Sequence, residues 1–232
     1  MEVKKNSGAV AGTPTSFLCT QCKRFCIKER IFVYICAMRS KDENKELVIR
    51  EKAIEMIVKE GFDGLSMQKL AKEANISAST IYIYFKNRED LLNKLYLGVQ
   101  EKFEKDALTN FSAEMTFEEW LWLQWKNRFK NISQNPLEYQ FYEHFHNSPL
   151  INHKDIKPSF FRKIMNDFVE NAIRKGELVN IPVEQYWAIA YGAFYILVKF
   201  HFDQSSMGGK PFNVTEQKLK QTFMLVMKSL RP

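Results

Sequence analysis

The sequence predicts an all-α protein, and three observations support this fold class. From residue 42 onward, apolar residues recur at steps of three and four, the period of an amphipathic helix. Helix breakers separate these segments, and no stretch shows the strict alternation of a half-buried strand. Nine glycines and seven prolines among 232 residues are also few for a chain built from many tight turns. With 45% hydrophobic residues, the chain can bury a core.

The first 40 residues differ from the rest of the chain. They carry seven basic and two acidic side chains, show little periodic pattern and end near Met38, which resembles an ordinary bacterial start. They also hold all the cysteines, Cys19, Cys22, Cys26 and Cys36. This spacing offers thiolates to zinc, but the second paired knuckle of a zinc site is missing, so a disordered or non-native extension is favoured over a metal site.

Residues 41–95 are predicted to form four helices. The first has one apolar face, made by Ile49, Ala53, Met56 and Ile57, and Gly61 is its predicted end. The second and third are short and begin at the N-cap residues Ser66 and Ser77. Asn75 lies between them and tolerates the left-handed backbone of a sharp turn. Asn87 is the predicted cap of the fourth helix.

The second and third helices form a predicted helix-turn-helix. Such a unit inserts its second helix into the major groove of DNA, so that helix needs an apolar rear and a small or polar front. Ile81 and Phe85 supply the rear, and Ala78, Ser79 and Thr80 supply the front.

The residues around this unit are similar to a known family. The runs LSMQKLAKEANIS (residues 65–77) and TIYIYFKNREDL (residues 80–91) resemble the DNA-binding domain of the TetR (tetracycline repressor) family, over residues 44–95. Asn75 stands where the family prefers Gly, Tyr84 where His is common and Arg88 where Lys is common. Asn adopts the same turn conformation as Gly, so the fold is preserved.

The resemblance implies which side chains contact DNA. Ser66, Tyr82 and Lys86 are the implied phosphate contacts. Groove contacts are implied for Gln68, Ser79, Thr80 and Tyr84, and Ser77 and Ala78 complete the predicted DNA-binding set. The physical reading agrees, because hydroxyl groups donate to phosphates and a Gln amide pairs with adenine. As alternatives, Tyr82 is a plain core aromatic, and Ser66 and Ser77 are helix caps only.

Residues 96–232 are predicted to form a C-terminal helical bundle. Its five helices are predicted at 116–133, 137–146, 158–175, 183–204 and 215–230, which brings the total to nine. In the family this part resembles a ligand-sensing and dimerising domain. Large aromatic residues are frequent here and suit the wall of an apolar effector pocket, although bundle core is the simpler interpretation of each one. The candidate pocket residues are Trp122, Trp125, Phe129, Tyr142 and Phe145.

The last two helices are the candidate dimer interface. One short recognition helix buries too little surface for operator-level affinity, so two copies must act together at half-sites about 34 Å apart. The candidate interface residues are Tyr191, Tyr195, Val198, Leu219, Phe223 and Val226. The alternative is that both helices cap the core of a monomer.

Together these features predict a cytoplasmic one-component transcriptional regulator. Its expected partners are a palindromic double-stranded DNA operator, a second copy of the chain and a small apolar or aromatic effector that releases a repressor from DNA. The histidines His144, His146, His153 and His201 have no metal-binding spacing, and no catalytic or cofactor-binding motif occurs, so no enzyme activity, metal or cofactor is predicted. No apolar run reaches the length of a membrane span. The alternative is a TetR-like scaffold that acts through protein–protein association without an effector.

Overall fold

The computed structural model of the protein describes residues 42–152 and 160–232. Within them the chain forms nine α-helices and one short 3-10 helix, and no β-strand. The elements are α1 (Glu43–Gly64), α2 (Met67–Glu73), α3 (Ala78–Tyr84), α4 (Arg88–Ala107), α5 (Phe117–Gln134), α6 (Pro136–His146), the 3-10 helix (Pro149–Asn152), α7 (Phe160–Arg174), α8 (Val183–Phe202) and α9 (Glu216–Leu230). The predicted all-α class is confirmed. Residues 1–40 with their four cysteines, and His153, lie outside the described residues.

Helix α1 extends past its predicted end. Gly61 has φ +73° and ψ 179°, a backbone conformation that breaks the helix and that glycine adopts without steric cost. Helical geometry then resumes as far as Gly64, so the element is a kinked helix. Its predicted apolar face is buried, with Ile49, Ala53 and Ile57 fully shielded from solvent.

The two short helices begin at the predicted caps. The Ser66 side chain accepts a hydrogen bond from the Lys69 amide at 3.1 Å, and Ser77 accepts one from the Thr80 amide at 3.2 Å. Each bond satisfies an amide that has no partner inside its own helix. Asn75 has φ +53°, the left-handed conformation that the sequence predicts for the turn.

Helix α4 connects the N-terminal helices to the bundle. It runs without a break through residues 95 and 96, where the sequence places a domain boundary. Phe103 on this helix packs against both clusters of buried apolar residues. Residues 44–232 accordingly form one compact unit.

The two clusters divide the helices between them. The first, which we call the head cluster, contains residues of α1 to α4 together with Phe141 and Phe145 of α6. The second, the body cluster, is built mainly from α5, α7, α8 and α9. Within it the Trp125 indole N–H donates to the Ala190 carbonyl at 2.9 Å, which ties α5 to α8. None of the helices in the described part of the chain has the length and apolarity needed to cross a bilayer.

Candidate nucleic-acid interface

Helices α2 and α3 form the predicted helix-turn-helix. They pack against each other, and the turn between them is closed by a bond from the Ile76 amide to the Ala71 carbonyl at 2.9 Å. This bond satisfies a carbonyl at the end of α2, and the left-handed Asn75 makes it possible. The geometry fixes the direction in which α3 leaves the turn.

Helix α3 has a buried rear and an exposed front. Ile81 and Phe85 are fully buried in the head cluster, as predicted. Ser79 and Tyr82 are exposed and three residues apart, so they lie on one face of α3, and the exposed Lys86 follows two residues after the helix ends. This face is available to a DNA groove.

Hydroxyl groups gather at the start of α3. The Ser77 Oγ lies 2.8 Å from the Ser79 Oγ and 2.8 Å from the Thr80 Oγ1. Ser77 and Ser79 are exposed, and Ala78 and Thr80 are partly exposed. Ser77 is therefore a helix cap whose hydroxyl also remains at the surface.

The exposure of the two tyrosines of α3 bears on the DNA contacts predicted for them. Tyr84 is only 6% exposed and packs in the head cluster, so the groove contact predicted for it is wrong. Tyr82 is 53% exposed, which excludes the alternative that it is a core aromatic. The physical reason is the helix period: Tyr84 lies three residues after buried Ile81, whereas Tyr82 points about 100° away from it.

One exposed residue of this surface was not predicted. Ile83 is 63% exposed and follows Ser79 by four residues, which places it on the front of α3. Its position relative to Ile81 and Phe85 was the available signal, since an apolar residue off the core stripe faces solvent or a partner. An exposed isoleucine here can contact a thymine methyl group.

Charged residues hold the helix-turn-helix in place. The Arg88 guanidinium donates from Nε to the Leu65 carbonyl at 3.0 Å and from Nη2 to the Phe62 carbonyl, which fixes the connection between α1 and α2. Arg88 therefore braces the fold rather than facing the groove. Lys94 donates to the Tyr84 carbonyl at 3.2 Å and to the Asp90 carboxylate at 2.9 Å, which secures the end of α3.

These hydrogen bonds shift the pKa of Asp90. Burial disfavours its charged form, but hydrogen bonds from Lys94 and from the Lys86 amide outweigh that effect and lower the pKa of the carboxyl. The Lys86 side chain itself is exposed. The network thus fixes the Lys86 backbone while its ammonium group extends into solvent.

On α2, both predicted DNA-contacting side chains reach the surface. Ser66 and Gln68 are exposed, and Ser66 combines this exposure with its capping bond. The neighbouring Lys69 forms an ion pair with Glu60 at 3.3 Å. An exposed pair of this kind adds little to stability, so Lys69 can exchange Glu60 for a phosphate.

The predicted pocket residues do not surround one cavity. Trp125 is fully buried in the body cluster, whereas Phe145 is fully buried in the head cluster and stacks on Tyr96 at 4.3 Å. Tyr142 also packs against the head cluster, and Trp122 and Phe129 are only partly buried against the body. The prediction that these five line a common pocket is wrong, because aromatic content alone does not show which core a ring joins.

The predicted dimer residues also face inward. Five of the six are buried within the single chain and one, Tyr195, is partly buried; the buried ones are Tyr191, Val198, Leu219, Phe223 and Val226. Their three-and-four spacing marks the stripe that each helix turns toward its own core. The apolar residues left on the outside of α8 and α9 include Ile196 and Leu225, 52% and 63% exposed.

Comparison with known proteins gives one family match and a set of similar structures. Residues 49–95 match the family described as bacterial regulatory proteins, tetR family. A curated HTH-type transcriptional regulator of uncharacterised function from Haemophilus influenzae is 37% identical over 126 residues. That alignment covers 54% of this chain and 66% of the relative.

Two solved structures show the same fold over most of the chain. A TetR-family transcriptional regulator from Haemophilus influenzae has a TM-score of 0.68 at 24% identity, covering 84% of this chain and all of its own. The transcriptional regulator FadR from Bacillus subtilis, solved in complex with stearoyl-CoA, has a TM-score of 0.54 at 19% identity. This second match covers 78% of this chain and 97% of the other.

Proposed function

The chain belongs to the tetR family of bacterial regulatory proteins, and from this premise we propose that it is a one-component regulator of transcription. It binds a palindromic DNA operator as a homodimer and changes its DNA affinity when a small effector binds the helical body. The observation that carries the proposal is the exposed face of α3, where Ser79 and Tyr82 face solvent, Lys86 is exposed just after the helix, and the opposite side is buried in the head cluster. DNA as a partner implies action in the cytoplasm.

We assign the DNA contacts by chemistry and exposure. Ser66, Tyr82 and Lys86 hold phosphates, because each presents a hydroxyl or ammonium group at the surface. Gln68, Ser79 and Thr80 read base edges, since amide and hydroxyl groups pair with the acceptors and donors of the major groove. The hydroxyl cap Ser77 and the small Ala78 let the start of α3 approach the DNA closely, and the interior Tyr84 takes no part.

We place the dimer interface on the outer faces of α8 and α9. The two helices pack against each other and leave Ile196 and Leu225 exposed, opposite their core stripes. On α8, Ala188 and Gly192 precede Ile196 at steps of four, and a Cβ added at Gly192 would meet no atom within 4 Å. A face of this shape allows a partner helix to approach closely and bury the two exposed side chains.

Ligand control is the part of the proposal that rests on the body. A structural relative of the same fold was solved with stearoyl-CoA bound, and the body of this chain carries buried polar groups without partners. A ligand that binds one arrangement of the body better than another shifts the population and with it the spacing of the two recognition helices. The proposed effector combines an apolar part with polar anchoring groups.

Selection of bound fragments from sheared genomic DNA tests the proposal. The full chain is expected to enrich a palindrome whose half-sites are centred one helical turn or a multiple of it apart, about 34–36 Å per turn. A Tyr82→Ala, Lys86→Ala double variant is the matched control and should enrich nothing specific. Equal enrichment of all fragments by the wild-type chain would contradict the assignment of a sequence-specific regulator.

A further inference from the structure

Arg128 lies in an unusual environment in the body of the protein. It projects from α5 between α7 and α8, and its Nη1 donates to the Tyr195 hydroxyl at 3.0 Å. Its guanidinium carbon lies 5.0 Å from the Tyr191 ring centre and 5.7 Å from that of Phe161. The Nε is buried and has no hydrogen-bond partner. The side chain as a whole is partly exposed, so a strong donor group lies between aromatic rings and remains within reach of solvent.

Within the described part of the chain, no carboxylate forms an ion pair with this cation. Burial is the largest single influence and works against its charge, but the surrounding tyrosines together outweigh burial and raise the pKa of the guanidinium, so it is charged at neutral pH. Burial raises the pKa of Tyr191 to about 12, so this neighbour is neutral there. Aromatic faces and one hydroxyl therefore surround the charge without a second ion, which leaves donor capacity for an anionic ligand.

Two further donors beside Arg128 also lack partners. The hydroxyls of Tyr186 and Tyr191 are buried without a hydrogen bond, and their rings meet at 90° with centres 6.3 Å apart. The Tyr191 hydroxyl lies near both Arg128 and Tyr186, but neither contact has hydrogen-bond geometry. Buried polar groups are nearly always paired, so three unpaired donor atoms around one side chain are unusual. These atoms are Arg128 Nε and the hydroxyl oxygens of Tyr186 and Tyr191. What they share is the ability to donate to an oxyanion.

We propose that Arg128, Tyr186 and Tyr191 form the subsite that holds the anionic group of the effector. The ligand class is an amphipathic organic anion, with a carboxylate or phosphate at Arg128 and an apolar remainder against aromatic side chains such as Phe161. A guanidinium matches both oxyanions through paired N–H donors. This inference rests on the proposed ligand-controlled regulator and specifies the chemistry of its effector.

Thermal unfolding of the full chain with three probes of equal chain length tests the subsite. The probes are decanoate, decyl phosphate and decanol, and the apparent Kd follows from the dependence of Tm on probe concentration. One or both anions should bind at least roughly thirtyfold more tightly than decanol, as expected for a desolvated charge pair. The two anions separate a carboxylate effector from a phosphate effector.

Arg128→Gln should abolish the preference. Its affinity for the anions should fall roughly thirtyfold while its affinity for decanol is unchanged. Lys130→Gln is the matched control, since it removes the same charge two residues further along α5 from an exposed position, and it should bind all probes as wild type does. Equal binding of decanol and both anions by the wild type, or an undiminished anion preference in Arg128→Gln, would overturn the inference.

A second readout separates ligand binding from a purely structural role. Without ligand, Arg128→Gln should change the Tm little, because the side chain is partly exposed and glutamine keeps a donor that reaches toward the Tyr195 hydroxyl. A lower Tm with no change in anion preference would show instead that Arg128 only braces Tyr195. Operator binding by the unliganded chain is measured in parallel: if it is intact while no anion binds, this inference fails and the regulator proposal stands, whereas loss of specific DNA binding contradicts the proposed function itself.

Discussion

The proposed dimer face predicts different effects of the same substitution at two nearby residues of α9, Phe223 and Leu225. Phe223 is fully buried and packs on Trp125 with ring centres 5.6 Å apart, whereas Leu225 is 63% exposed. A glutamate at position 225 should therefore separate the two chains of the dimer and leave each chain folded. A glutamate at position 223 should unfold the body, because it places a charge in the core.

The expected size of the Leu225→Glu effect follows from exposure. Full burial of a leucine is worth about 1.5–3 kcal/mol, and nearly two thirds of Leu225 remains to be buried, so each copy contributes about 1–2 kcal/mol. A two-fold interface contains the residue twice, which gives about 2–4 kcal/mol. At 1.4 kcal/mol per factor of ten, the dimer Kd should rise between about thirtyfold and several hundredfold.

Sedimentation equilibrium across a range of concentrations measures this change. The wild type should run at twice the chain mass of 27.4 kDa and Leu225→Glu at the chain mass, with helical content and Tm of the variant monomer retained. Asn166→Glu, which introduces a carboxylate at an exposed position of α7, is the control and should remain a dimer. A wild type that is monomeric at micromolar concentration, or a Leu225→Glu chain as dimeric as the control, would refute the assignment of this face.

Three further predictions concern the helix-turn-helix and the α4 residues that brace it. Lys86→Ala should weaken binding to all DNA sequences alike and reduce the slope of log K against log salt concentration by about one for each chain. Thr80→Ala should instead change the base preference at one position of each half-site. If both variants affected specific and non-specific DNA equally, these roles would be contradicted. Arg88→Ala removes two charge-assisted bonds at a part-buried site and should cost about 2–3 kcal/mol of stability in urea unfolding, with a loss below 0.5 kcal/mol counting against the bracing role. Because the pKa of Asp90 is lowered in the folded chain, its stabilisation is present above the ordinary aspartate pKa of about 4 and is lost as the pH falls through the lower folded value. Asp90→Asn should therefore narrow the Tm difference between pH 6 and pH 3 relative to wild type.

The helix-turn-helix could be predicted because its signals are local. The caps Ser66 and Ser77 lie next to the helices they begin, and Asn75 lies in the turn that needs its backbone conformation. Such signals act within three or four residues, so the sequence contains them in full. At Tyr84 two local signals disagree: its spacing from Ile81 indicates an interior position, whereas the resemblance to the family implies a groove contact, and the structure follows the helix period.

The outer face of α8 could not be predicted in the same way. This helix carries apolar residues around most of its circumference, among them buried Phe194 and exposed Ile196. When several stripes of one helix are apolar, periodicity does not decide which stripe meets the chain's own core and which meets a partner. Only the packing of α9 against α8 removes the ambiguity, and that packing depends on residues far apart in the sequence.

For Arg128, the sequence shows the unusual position on the helix but not the neighbours in space. On α5 it lies three residues after Trp125 and four before Ile132, both buried, so a charged residue occupies a position of the core stripe. That pattern alone predicts either a buried ion pair or a binding group. The choice between them requires its partners, and its hydroxyl partner Tyr195 lies 67 residues further along the chain. Among the described residues, the fold brings tyrosines rather than a carboxylate to the guanidinium. For this reason a charged residue on the core stripe becomes a candidate site for an anion.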